Sequence, residues 1–194
     1  MKRKFWITAR LLVTAATMIF AASCGQGSKA QGNKTQKESE STSVMELCGK
    51  VLRSELEYFD VELQKNMFLN DYWTYFSENV YGGPMQINFT VVDMDEDGVS
   101  EVVIMYDPGE LKVFRVEGGT VYGYDFSYRA LMNLKKDGTF SWSNDAYSDG
   151  IGRQTFSGTH TETIELANNG NQEKKEDVDW MELTEENVRL KIKD

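Results

Sequence analysis

The sequence predicts an α+β fold: an N-terminal helix pair packed on an antiparallel β meander, a single domain following a signal peptide and a flexible tether. Three observations carry that expectation. Apolar residues recur at helical spacing from Met45 to Val80, and the period changes to two from Gln86 onward. The period-two runs are separated by turns so short that neighbouring strands must run antiparallel. With 194 residues, of which 40% are hydrophobic, the chain has room for one domain of ordinary size and material for its core.

Residues 1–23 open on Lys2, Arg3 and Lys4, continue through the apolar stretch Leu11–Phe20 and end in small residues. That is the pattern of a secretory signal, too short for a spanning helix. Residues 24–42 are dominated by Gly, Ser, Gln, Lys and Glu, with nothing to bury, and read as a tether. Residues 43–194 form the expected α+β domain. Ser43-Val44-Met45-Glu46 fits a capping box, followed by Met45, Cys48, Leu52, Leu56, Phe59 and Leu63 at spacings of three and four. A second helix is expected from Lys65 to Asn79, with Leu69, Trp73, Phe76 and Val80 on one face and Gly82-Gly83-Pro84 as its stop.

Strands are then expected over Glu101–Tyr106, Leu111–Glu117, Thr120–Tyr124, Ser127–Asn133 and Thr139–Ser143. Their turns are Asp107-Pro108-Gly109-Glu110, Glu117-Gly118-Gly119-Thr120 and Lys136-Asp137-Gly138-Thr139. After a polar loop over Asn144–Gly152, Arg153–Ser157 and Thr161–Leu166 give another strand pair. Trp180 and Leu183 are expected to pack back, before a capped helical turn at Thr184-Glu185-Glu186-Asn187.

Between the first two period-two runs lies Asp93-Met94-Asp95-Glu96-Asp97-Gly98-Val99-Ser100-Glu101. Three aspartates at alternate positions, a glycine for the sharp turn and a later glutamate are how a chain builds an oxygen cage for Ca²⁺. The expected ligands are the side chains of Asp93, Asp95, Asp97 and Glu101 and the backbone carbonyl of Val99. Four carboxylates this close repel one another, and a cation relieves them. A full EF-hand is excluded, because its closing position falls on Ile104 and the flanks read as strands. The alternative is a metal-free, solvated Asx-turn between two strands.

Two resemblances follow. Ala21-Ala22-Ser23-Cys24 resembles a bacterial lipobox, with Ala21 where leucine is usual. This implies a lipid-modified Cys24 as the new N-terminus, held on a membrane by two or more acyl chains. The alternative is ordinary signal cleavage that leaves a secreted protein. The acidic loop resembles the strand–loop–strand calcium loops of FG-GAP-type repeats, with Glu96 where that family usually has glycine. The order of features over about residues 44 to 166 resembles uncharacterised surface lipoproteins of gut Firmicutes and similar bacteria, a family that carries no settled activity.

A formal charge of −10, made more acidic by removal of the basic leader, disfavours nucleic acid and favours divalent cations and basic partners. One histidine, His160, and two distant cysteines exclude a His- or Cys-rich zinc site, and neither a nucleophile elbow nor a phosphate loop is present. Cys48 reads as a buried small hydrophobe. The expectation is therefore a lipid-anchored, extracytoplasmic Ca²⁺-binding domain that acts as a surface interaction module without catalysis. Its partner would be an extracellular protein or glycan, met through Tyr122, Tyr124, Phe126 and Tyr128, although alternate aromatics of a strand must also supply the core. The competing reading is an envelope hydrolase, or a subunit of one, using acidic residues on glycan or peptide.

Overall fold

The computed structural model describes residues 44–77, 86–106, 109–127, 129–145, 148–167 and 175–192. The leader, Cys24, the tether, Ser43, Val80, the Gly82-Gly83-Pro84 stop and Tyr128 lie outside them. The described chain is mostly β. Its helices are three short pieces: α1 over 44–52, α2 over Leu69–Phe76 and α3 over Glu185–Lys191. The strands are β1 (Tyr58–Asp60), β2 (Lys65–Met67), β3 (Ile87–Val92), β4 (Glu101–Tyr106), β5 (Glu110–Glu117), β6 (Thr120–Phe126), β7 (Phe140–Ser143), β8 (Asp149–Ser157), β9 (His160–Ala167) and β10 (Met181–Glu182). They form a seven-stranded sheet, ordered β10-β3-β4-β5-β6-β1-β2, and a three-stranded sheet, β7-β8-β9.

A helix pair packed on a meander is thus not the architecture. The first helix, expected to run to Leu63, ends at residue 52 and turns off at Ser54, whose φ of 55° is left-handed. The Ser54 N–H donates to Val51 O and the Glu55 N–H to Lys50 O, the paired bonds of a Schellman stop. Serine fills the position where glycine would have announced the end. The next residues become the β1–β2 hairpin, and β1 joins β6 in parallel, Phe59 opposite Tyr122 and Asp60 opposite Gly123. The expected second helix loses its first turn to β2. Among the described residues of Ser127–Asn133, turns replace the expected strand; Met132 makes an isolated bridge with Ser141, and Arg129 O accepts the Ser143 N–H. The expected polar loop ends early, because β8 already begins at Asp149.

The large sheet is covered on both faces. Val102, Ile104 and Tyr106 of β4 join Phe114 of β5 and the apolar residues of α1, α2 and α3 in one core. Val103 of β4 and Leu111 and Val113 of β5 join Tyr124, Leu131, Leu134, Phe140 and Phe156 in a second. Covering on two sides explains why β4 reads as an unbroken apolar run rather than an alternation. Tyr122, Tyr124 and Phe126 share one face of β6, and that face is turned to the second core: Tyr124 is buried there and the other two pack against it. They are therefore core residues before they are a contact surface.

Opposite them on β6, Gly123 makes room for the first core. A Cβ at this position would lie 2.6 Å from the Tyr58 ring, which sits edge-on to Phe114 at 5.0 Å.

Candidate metal centre

β3 and β4 are an antiparallel pair closed by Val92 opposite Glu101, and residues 93–100 form the loop between them. The loop curls because its own carboxylates take its backbone donors. The Gly98 N–H donates to Asp93 Oδ2 at 2.8 Å, the Asp97 N–H to Asp95 Oδ1 at 3.3 Å and the Val99 N–H to Asp97 Oδ1 at 2.7 Å. Gly98 has a φ of 82°, the conformation its lack of a Cβ makes easy. Glu96 has a φ of 60°, a left-handed backbone adopted without a glycine.

Oxygens of Asp93, Asp95 and Glu101 converge within 4.8 Å of one another, and this acidic cluster could hold a metal ion. Glu101 is fully buried and accepts the Met94 N–H at 2.8 Å. Asp93 Oδ1 is buried with no hydrogen-bond partner. A buried carboxylate oxygen left in that condition is costly, and the donor set around it is entirely oxygen, the preference of a hard cation. Asp97 stands outside the convergent set, more exposed, with Oδ2 turned to Arg115. The backbone N–H of Val99 is committed to Asp97, as given above. Of the five expected ligands, the side chains of Asp93, Asp95 and Glu101 meet, while the Asp97 side chain and the Val99 carbonyl are not in the convergent set.

The sequence reading missed a resident cation. Arg115 of β5 reaches Asp95 Oδ2 at 2.8 Å, Glu101 Oε1 at 2.6 Å and Asp97 Oδ2 at 2.8 Å. Part of the repulsion is therefore already relieved from within the chain. Two basic residues, Lys112 and Arg115, inside an otherwise apolar strand (Leu111 to Val116) were the available signal.

Burial pushes the Glu101 carboxyl up to about 8; the Met94 N–H and the Arg115 guanidinium oppose that, while the Asp95 charge adds to it. Burial likewise raises Asp95, against the pull of Arg115. An acid whose folded pKa lies above its unfolded one binds its proton more tightly when folded, so its contribution to stability is lost as pH rises. For Glu101 the window runs from its ordinary value of 4.5 to about 8. Each unit of pH across that window is worth about 1.4 kcal/mol at most. Chelator-treated protein is expected to melt lower at pH 8.5 than at pH 6. Glu101→Gln should flatten that difference in a thermal melt followed by circular dichroism, and an unchanged pH slope in the variant would refute the assignment.

The loop also joins the two sheets. Met94 is buried in the second core. Arg153 of β8 pairs with Glu96 at 2.7 Å. The turn at Gly138 packs so closely that a Cβ there would lie 2.3 Å from Asp93 O.

A second buried ionic cluster lies on the other face of the large sheet, and sequence reading missed it too. Lys112 of β5 is fully buried, 2.8 Å from Asp60 Oδ2 and 2.7 Å from Asp125 Oδ2. Its Nζ lies 4.2 Å from the Tyr72 ring centroid. Cys48 is a buried free thiol pushed up to about 12 by burial, a small core residue as expected. His160 is exposed at the start of β9.

Compared with family models, with curated proteins and with solved structures, the chain finds no match.

Proposed function

We propose that the chain is a lipid-anchored, extracytoplasmic domain whose acidic hairpin loop binds Ca²⁺ and thereby fixes the two sheets to each other, with surface interaction as its role and no catalysis. One observation carries the metal reading: the carboxylates of Asp93, Asp95 and Glu101 converge, and Asp93 keeps a buried oxygen that no donor satisfies. Calcium suits this site better than zinc or magnesium. The ligands are oxygens on a short loop, without nitrogen or sulfur, and a loop adapts to Ca²⁺ more readily than to the strict octahedron of Mg²⁺. Asp97 and a loop carbonyl such as that of Val99 can complete the coordination.

A structural ion fits a binding role. The loop carboxylates accept backbone N–H groups and Arg115, an arrangement that fixes the shape of the loop and supports a structural reading of it. Anchoring rests on the lipobox at Cys24, and Cys24→Ser should release the protein from membranes. The partner reading, an extracellular protein or glycan, rests on the acidic, aromatic-rich composition. Among the described residues no helix is long and apolar enough to cross a membrane.

The direct test is calorimetric titration of Ca²⁺, and separately Mg²⁺, into chelator-treated protein. One Ca²⁺ per chain, bound more tightly than Mg²⁺ and with proton release near pH 7, is the expected result. No heat beyond dilution would dismiss the metal.

A further inference from the structure

We infer that a cleft at the opposite end of the large sheet from the acidic loop binds a small organic ammonium ion. This rests on different residues from the calcium site and stands or falls separately. The cleft, of about 650 Å³, opens where β4 ends at Tyr106, β5 begins at Glu110 and β6 ends at Phe126. Aromatic wall comes from Tyr72, Tyr75 and Phe76 of α2 together with Tyr106 and Phe126. Three carboxylates also line it: Glu62 from the β1–β2 turn, Glu110 and Asp125.

Its chemistry is that of a cation site. Aromatic faces attract cations through the ring quadrupole, and a quaternary or primary ammonium among such rings gains more as it is desolvated. The neighbouring interior already holds one ammonium in the same kind of setting. Lys112 Nζ lies 4.2 Å from the Tyr72 ring centroid and 2.7 Å from Asp125 Oδ2. That lysine is shared with Asp60, so it does not neutralise the cleft.

Asp125 is held in place as well. Its Oδ1 accepts the hydroxyl of Tyr72 at 3.2 Å and that of Tyr106 at 3.5 Å. Glu110 is raised by burial and by the charges of Asp125 and Glu62, so these acids already feel one another's field. An entering cation relieves that repulsion, whereas an anion meets three carboxylates and a neutral ligand forgoes the gain. The volume leaves room for a ligand larger than a lysine head group.

The test compares choline with 3,3-dimethyl-1-butanol, its neutral isostere, by calorimetry or by proton chemical-shift titration of the full domain. Both run with Ca²⁺ present and with chelator, so that loss of the loop's metal is read apart from loss of this site. Choline is expected to bind about tenfold or more tighter than the alcohol, a difference within reach of a desolvated cation–π contact and one charge pair. Glu110→Gln and Glu62→Gln, at partly or fully exposed positions that leave the core untouched, should each weaken choline about fivefold and leave the alcohol unchanged. Equal binding of the two probes, no binding of choline, or choline affinity indifferent to both substitutions would each overturn the assignment.

Discussion

Lys112→Met will destabilise the domain by about 3–5 kcal/mol, the largest effect expected of any single substitution in this chain. The lysine is fully buried, and the two carboxylates it joins are buried or nearly so: Asp60 has no exposed side chain and Asp125 keeps 16%. Methionine matches the length of the aliphatic stem, so packing against Tyr58 and Tyr72 is largely kept. What is lost is the charge, which leaves two carboxylates in an interior that cannot solvate them. Asp60 keeps only the Tyr58 hydroxyl at 3.2 Å and the Leu63 N–H at 2.8 Å.

For a domain of this size the loss corresponds to a fall in melting temperature of roughly 6–20 °C. Its pH dependence separates charge from packing. Burial already raises Asp125 against the pull of Lys112, and removing the lysine raises it further. Carboxyls with raised folded pKa values contribute stability that is lost as pH rises, so the variant should recover part of its deficit near pH 5. Urea unfolding at pH 5 and pH 8 measures this. A deficit below 1 kcal/mol, or one that is the same at both pH values, would show that the pair is not the cluster described.

This cluster also shows where sequence reading ended. The hairpins between β4 and β6 were legible because their signals are local: period two, and glycines at 118 and 119 with φ values of 58° and 82° where the turn needs them. The cap of α3 was legible for the same reason, with the Thr184 side chain accepting the Asn187 N–H. The acidic loop was legible as spacing, down to the left-handed Gly98. The end of α1 was not, because Ser54 adopts a conformation that its identity does not advertise. Nor was the parallel pairing of β1 with β6, since nothing local to Tyr58–Asp60 refers to a strand some sixty positions later. Lys112, Asp60 and Asp125 come from three strands and meet only after that pairing forms. Arg115 belongs to the same class: an internal cation changes the charge balance of the loop, and only the register of β4 against β5 brings it there.

On the proposed calcium reading, chelation will lower the melting temperature by about 5–10 °C. A ligand bound only by the folded state at a hundred times its dissociation constant stabilises by about 2.7 kcal/mol, and that range is its thermal equivalent for a domain of this size. Asp95→Ala should abolish the response to chelator, because it removes one of the three convergent oxygens and an Arg115 partner together. Arg115→Met separates the two cations that compete for this loop. With chelator it should melt lower than wild type, since Asp95, Asp97 and Glu101 lose their shared guanidinium. With saturating Ca²⁺ the gap should narrow, because the ion then meets carboxylates no longer partly neutralised, and calorimetry should show tighter binding. Opposite signs for stability without metal and affinity for metal follow only if both cations use the same carboxylates. A melt unmoved by chelator in wild type would remove calcium from the account and leave Arg115 as the counter-ion of Asp95, Asp97 and Glu101. Its junction role, through Met94 in the second core and the Arg153–Glu96 pair, would then rest on protein contacts alone.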